Sequence, residues 1–133
     1  MNRNDFRTLE RLRVRWVEVD LQKVVFNGHY LTYFDIAMAG YWRATAMPYA
    51  QTMEHFDGDL FVRKASVEYL GSARYDDLLD VGLRCTRIGT SSLLFSGAVF
   101  CKTACLPPAN SSMCSPRHMR RPRSRCRRPC VMR

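Results

Sequence analysis

The stretch RVRWVEVDLQKVVFNGHYLTYFDIA, Arg13 to Ala37, changes its periodicity midway and places a carboxylate, Asp20, at the change. On its N-terminal side, Leu12, Val14 and Trp16 alternate with Arg11, Arg13 and Arg15, the period-two pattern of a strand with one buried face. That pattern predicts a strand running to about Val19. On its C-terminal side, Tyr30, Tyr33, Phe34, Ala37, Met38 and Tyr41 recur every three or four residues, the apolar stripe of an amphipathic helix. Asn27 is a favoured residue type for the helix N-cap, and Pro48 closes the pattern. Gly40 inside such a helix points to close packing of its backbone.

Three further segments read as strands: Leu60 to Leu70, Leu78 to Ile88, and Ser92 to Lys102. The short links GSARYDD and GTS between them suit antiparallel neighbours. SLLFSGAVF is apolar on both faces, as an interior strand beneath a helix would be. The expected body is therefore β-α-β-β-β, an α+β architecture with one long helix on one antiparallel sheet.

Composition divides the chain of 133 residues unevenly. Of its 21 basic residues, eight arginines lie in 106–133, which contains no acidic residue, leaving thirteen against all 12 Asp and Glu in the body. A nearly neutral body with a basic appendage is thus expected, and nucleic acid is expected only through non-specific phosphate contacts of that tail. LPPANSSMCSPRHMRRPRSRCRRPCVMR has five prolines and no aromatic residue, a composition that cannot offset the entropy of ordering. Residues 1–105 are accordingly expected to form the domain and 106–133 a disordered tail. No apolar run is long enough to span a bilayer, and no signal-like segment opens the chain, so a cytoplasmic protein with reduced thiols is expected. Cys101, Cys105, Cys126 and Cys130 lack the usual C-x2-C knuckle, and no metal site is expected.

Two readings of Asp20 follow from its position. It is a turn residue, or it is a carboxylate facing a helix start whose first N–H groups, around Asn27 and Gly28, are free to hold a developing oxyanion. In the second case it attacks a carbonyl carbon or activates water. His29 is a second candidate, as histidine is a residue type suited to shuttling a proton, although histidines in a first helical turn are commonly surface residues. Glu18 fits an ordinary solvent-facing strand position.

Arg13 to Ala37, continued by RKASVEYLGSARYDDLLDVGLRCTRIGTSSLLFSGAVF, resembles the acyl-CoA thioesterases of the hotdog fold in the 4-hydroxybenzoyl-CoA thioesterase-like branch. The likeness spans about Arg11 to Phe100 and rests on Asp20, the VVFNGHY run, the aromatic helix, and YDD and SS downstream. It implies a long central helix on an antiparallel sheet, assembly as a homodimer or homotetramer, and hydrolysis of an acyl-CoA thioester to free acid and CoA without a cofactor. It carries the catalytic carboxylate onto Asp20 and the oxyanion donor onto Asn27 or Gly28. Tyr30, beside His29, falls on the aromatic that shapes the acyl pocket. Lys64, Arg87, Ser91 and Ser92 fall where that family meets CoA phosphates.

Two departures stand out. Lys23 occupies a place where that family commonly has Gly. Near Cys101 to Cys105 the likeness gives way to the Arg/Pro/Cys-rich tail, as a shifted reading frame in GC-rich DNA would produce; on that reading the last strand is missing. An alternative function is a hotdog domain that binds acyl-CoA or a partner protein without turnover.

Overall fold

The computed structural model describes residues 1–45, 47–102 and 130–132. Strand β1 (Leu9–Arg13) is followed by a 3-10 turn at Trp16–Glu18, the helices α1 (His29–Thr45) and α2 (Tyr49–His55), and strands β2 (Val67–Glu68), β3 (Leu78–Ile88), β4 (Leu93–Lys102) and β5 (Cys130–Met132). One five-stranded sheet has the order β1-β3-β4-β5-β2, and all its pairs are antiparallel.

The stripe read from the sequence is the face that α1 buries. Tyr30, Tyr33, Phe34 and Ala37 pack with Leu79, Val81 and Leu83 of β3 and Val99 of β4, while Met38 and Tyr41 flank them. Full burial of a residue such as Leu79 stabilises the fold by about 1.5–3 kcal/mol relative to leaving it in water. Gly97 of β4 permits the close approach of the layers: a Cβ there would lie 2.7 Å from Leu83 Cδ2 and 2.8 Å from Phe34 Cε1. At Gly40 the neighbour is the end of the flexible Glu10 side chain, a looser constraint than close backbone packing.

The opposite face of the sheet is covered near β1 by the N-terminal segment. Phe6 is buried over Gly82 and meets Phe100 edge-on at 5.8 Å. Beside it, the buried carboxylate of Asp80 is ion-paired with Arg3 and, at 2.8 Å, with Arg11 Nε. Burial alone would raise the Asp80 pKa, but the hydrogen bonds and charges of the two arginines hold it below the ordinary value.

Three sequence expectations change. The first strand ends at Arg13 rather than near Val19, because Val14 N–H turns to Asp77 O and the chain enters the 3-10 turn. This turn breaks the alternation, exposing Trp16 and turning Glu18, expected in solvent, to 3% exposure. The strand expected over Leu60 to Leu70 is regular only at Val67–Glu68. β2 is the outer strand, and its sole ladder among the described residues is the short one with β5, which leaves 60–66 without a described strand to pair with.

The expected tail lies mostly outside the described residues. Within it, the backbone of Cys130–Met132 forms β5, inserted between β4 and β2.

Candidate active site

The site lies at the end of the sheet where β1 and β2 finish and β3 begins. After the 3-10 turn, Val19 pairs with Val25, Asp20 N–H donates to Val24 O at 2.9 Å, and Lys23 N–H donates to Asp20 O at 2.9 Å. This narrow hairpin requires a left-handed residue, and Lys23 supplies it with φ of 62°. Here the departure from Gly leaves a lysine in the backbone conformation that glycine adopts most readily.

Asp20 has both attributes that the sequence reading set against each other. Its Oδ1 accepts the Gln22 N–H at 2.8 Å, the bond of a turn residue, and receives a longer approach from Val24 N–H at 3.5 Å. Oδ2 has no hydrogen-bond partner among the described residues. The carboxylate is therefore oriented through one oxygen and available through the other. It lines an open cleft of about 340 Å³ whose walls include Val25, Asn27, Tyr30, Tyr69 and Ser72.

Hydrogen bonding at the helix start selects which amides remain available. Phe26 N–H is taken by Glu18 O, His29 N–H by Phe26 O, Tyr30 N–H by Asn27 O and Leu31 N–H by Gly28 O. The N–H groups of Asn27 and Gly28 have no acceptor among the described residues. Asn27 does not cap the helix with its side chain, which makes no hydrogen bond among those residues. Its contribution to the site is backbone.

Neighbouring groups lock this arrangement. The Tyr30 hydroxyl accepts Ala73 N–H at 3.0 Å, and Ala73 O accepts Val25 N–H at 2.9 Å, so the Gly71–Ala73 turn ties the hairpin to the helix. Glu18 binds from the other side: Arg15 N–H reaches Oε2 at 2.7 Å, Arg15 Nε and Nη2 reach Oε1 at 2.9 and 2.8 Å, and the Tyr33 hydroxyl donates to Oε2 at 2.9 Å. Burial pushes the Glu18 carboxyl upward, yet these donors together hold its pKa below the usual value. Burial, then the Glu18 contact, pushes the Tyr33 hydroxyl well above its ordinary pKa.

Asp20, Asn27 and Tyr30 thus share one cleft, with Gly28 and His29 next in the chain. The His29 ring rests edge-on near Phe26 at 6.0 Å. Lys64 does not line the cleft, Arg87 lies near the far end of β3, and Ser91 and Ser92 belong to the β3–β4 turn just beyond it. An 11-residue strand separates its ends by roughly 33 Å, so one chain does not place that turn beside Asp20. Sequence reasoning overlooked Tyr69, whose only signal was an aromatic just before the Gly71 turn, and it placed Glu18 in solvent, whereas the carboxylate is buried. A second hollow, about 360 Å³, lies between Gly40, Tyr41 and Ala44 of α1 and Thr8–Glu10, with Glu10 paired to Arg43 at 3.7 Å. Its carboxylate, Glu10, faces Arg43 rather than a helix start.

Comparison with known proteins decides the family. The family model described as "Thioesterase superfamily" matches residues 22–105. The chain belongs to this superfamily. Its helix-on-sheet architecture is the hotdog fold, and its reaction class is thioester hydrolysis. Among relatives of this thioesterase-superfamily chain, a protein of Aquifex aeolicus (strain VF5) named "Putative esterase" is 29% identical over 104 residues, 78% of this chain and 80% of that protein. A solved hypothetical protein from Aquifex aeolicus is 29% identical with a TM-score of 0.65, covering 70% of this chain and 75% of that one. A thioesterase from Thermus thermophilus, solved in complex with coenzyme A and Zn, is 27% identical with a TM-score of 0.62, covering 72% and 73% of the two chains. No described helix is long and apolar enough to cross a membrane. Among the described residues, no three His, Cys, Asp or Glu side chains cluster as a metal site would require.

Proposed function

We propose that the protein hydrolyses an acyl-CoA thioester to the free acid and CoA, with Asp20 as nucleophile or general base. The observation that carries this reading is the half-tethered Asp20 carboxylate on the wall of the cleft that also contains Asn27. As a base, Asp20 takes a proton from water as the water oxygen attacks the thioester carbon. As a nucleophile, its oxygen attacks directly and forms an anhydride that water then opens. In either route the carbonyl oxygen becomes an oxyanion within reach of the Asn27 or Gly28 N–H, and collapse expels the CoA thiolate, which takes up a proton. Tyr30 forms part of the acyl wall.

CoA phosphates are assigned to Lys64, Arg87, Ser91 and Ser92, supplied by a second copy of the chain. Support for a homodimer or larger homo-oligomer comes from the outer edge of the sheet. Phe61 and Val62, in the segment leading to β2, are each 87% exposed, and exposed apolar side chains beside an outer strand are what a second chain would cover. The proposed setting is the cytoplasm.

Turnover of a panel of acyl-CoA thioesters, followed by thiol release, tests the reading. Asp20→Asn should reduce kcat by about 10²–10⁴ while leaving the circular dichroism spectrum unchanged. Near-normal turnover in that variant refutes the role of Asp20; CoA binding by the unmodified chain without turnover establishes the non-catalytic alternative instead.

A further inference from the structure

The carbonyl oxygen of Asn27 accepts two hydrogen bonds, one from the Tyr69 hydroxyl at 3.1 Å and one from Tyr30 N–H at 3.3 Å. Tyr69 follows β2 directly and is 49% exposed. Its ring stands edge-on to Tyr30, with centroids 5.5 Å apart, and lines the Asp20 cleft. It thus reaches from the sheet edge to the short backbone segment that carries both free amides.

The peptide between Asn27 and Gly28 is trans, and its six atoms share a plane. Holding its carbonyl therefore sets the direction of Gly28 N–H, and it restrains the residue that presents Asn27 N–H. A donor on the carbonyl also polarises the peptide, which strengthens the N–H at its other end. The restraint is useful here because Gly28 is the residue with the freest backbone at the helix start.

We propose that Tyr69 is a positioning residue, whose hydroxyl holds the Asn27–Gly28 peptide so that its flanking amides are set to receive the thioester oxyanion. This proposal rests on the thioesterase reading above. Tyr69 does not touch the reacting atoms; it acts through the peptide. Because the bond serves the transition state more than bound substrate, its loss falls on kcat rather than KM.

Tyr69→Phe keeps the ring against Tyr30 and removes only the hydroxyl, and it is tested in two ways on the full chain. In steady-state hydrolysis, kcat should fall about tenfold with KM within about twofold. In ¹⁵N–¹H spectra without substrate, the Asn27 and Gly28 amide resonances should move, while Leu31, already bonded within the helix, should not. An unchanged kcat in an active enzyme overturns the proposal, as does a loss confined to KM. Unmoved Asn27 and Gly28 resonances overturn it whatever the kinetics. An unmodified chain with no thioester turnover defeats the thioesterase reading itself, and the holding of the peptide is then judged by the amide resonances alone.

Discussion

The Tyr33 hydroxyl donates to Glu18 Oε2 at 2.9 Å, joining the first helical turns to the 3-10 turn before the hairpin, while Glu18 O accepts Phe26 N–H at the hairpin's end. One residue therefore fixes the strand exit, the hairpin that carries Asp20, and α1. Tyr33→Phe should lower stability by roughly 1–3 kcal/mol in urea unfolding, the usual range for losing a hydrogen bond to a charged group.

The same contact sets a pH dependence. With the folded pKa of Glu18 below the unfolded value, the unfolded chain binds more protons in acid, so stability is fully present above about pH 4.3 and is lost as pH falls through the depressed value. Asp80 acts in the same direction. For Tyr33 the folded pKa is raised, so its contribution is present below about pH 10 and is lost above it. Urea midpoints measured from pH 3 to 7 should rise with pH at the acid end, and Glu18→Gln should flatten that rise.

Asp20 should separate its two roles by substitution. Asn retains an oxygen to accept Gln22 N–H, so Asp20→Asn should unfold at nearly the same urea concentration as the unmodified protein. Asp20→Ala loses the turn bond as well and should be about 1 kcal/mol less stable. Equal stability of the two variants would argue that the turn does not depend on Oδ1.

Lys23→Gly should raise stability by about 0.5–1 kcal/mol, since φ of 62° strains a residue with a Cβ more than the added freedom of glycine in the unfolded chain offsets. Gly97→Ala should act oppositely and lower stability by about 1–3 kcal/mol, because its Cβ would press on Leu83, on Phe34 and on Gly82 O at 3.0 Å. Thermal melts of both variants check the signs.

If the CoA phosphates are met by a second copy, Asp20→Asn and Arg87→Ala chains should complement each other. Chains mixed under denaturant and refolded in equal amounts should recover roughly a quarter of normal activity, since half the dimers would be mixed and each would hold one intact site. Activity no greater than that of the separate variants would place Arg87 outside the site.

Legibility in the sequence followed the range of the forces involved. The 3.6-residue stripe from Tyr30 to Tyr41 is a local signal, because any helix there must bury that face; Tyr30, Tyr33, Phe34 and Ala37 are buried as it predicts. β3 and β4 were readable for the same reason. The alternation through Trp16 misled, since it contains no trace of the hydroxyl of Tyr33, fifteen residues on, that draws Glu18 inward. Residues 60–70 have strand character, but a strand also needs a neighbour, and among the described residues only Val67 and Glu68 of this segment pair with one, β5.

The sequence by itself determined the helix-on-sheet layers, through periodicity, and singled out Asp20 and the FNGHY segment through their place at the change of period. Only the tertiary structure decided that Asp20 is both tethered and open, that Asn27 and Gly28 keep free amides while their neighbours do not, and that Tyr69 reaches Asn27 O. Each of these depends on hydrogen bonds whose donors and acceptors are allotted by the folded backbone path, and that allotment has no period along the chain.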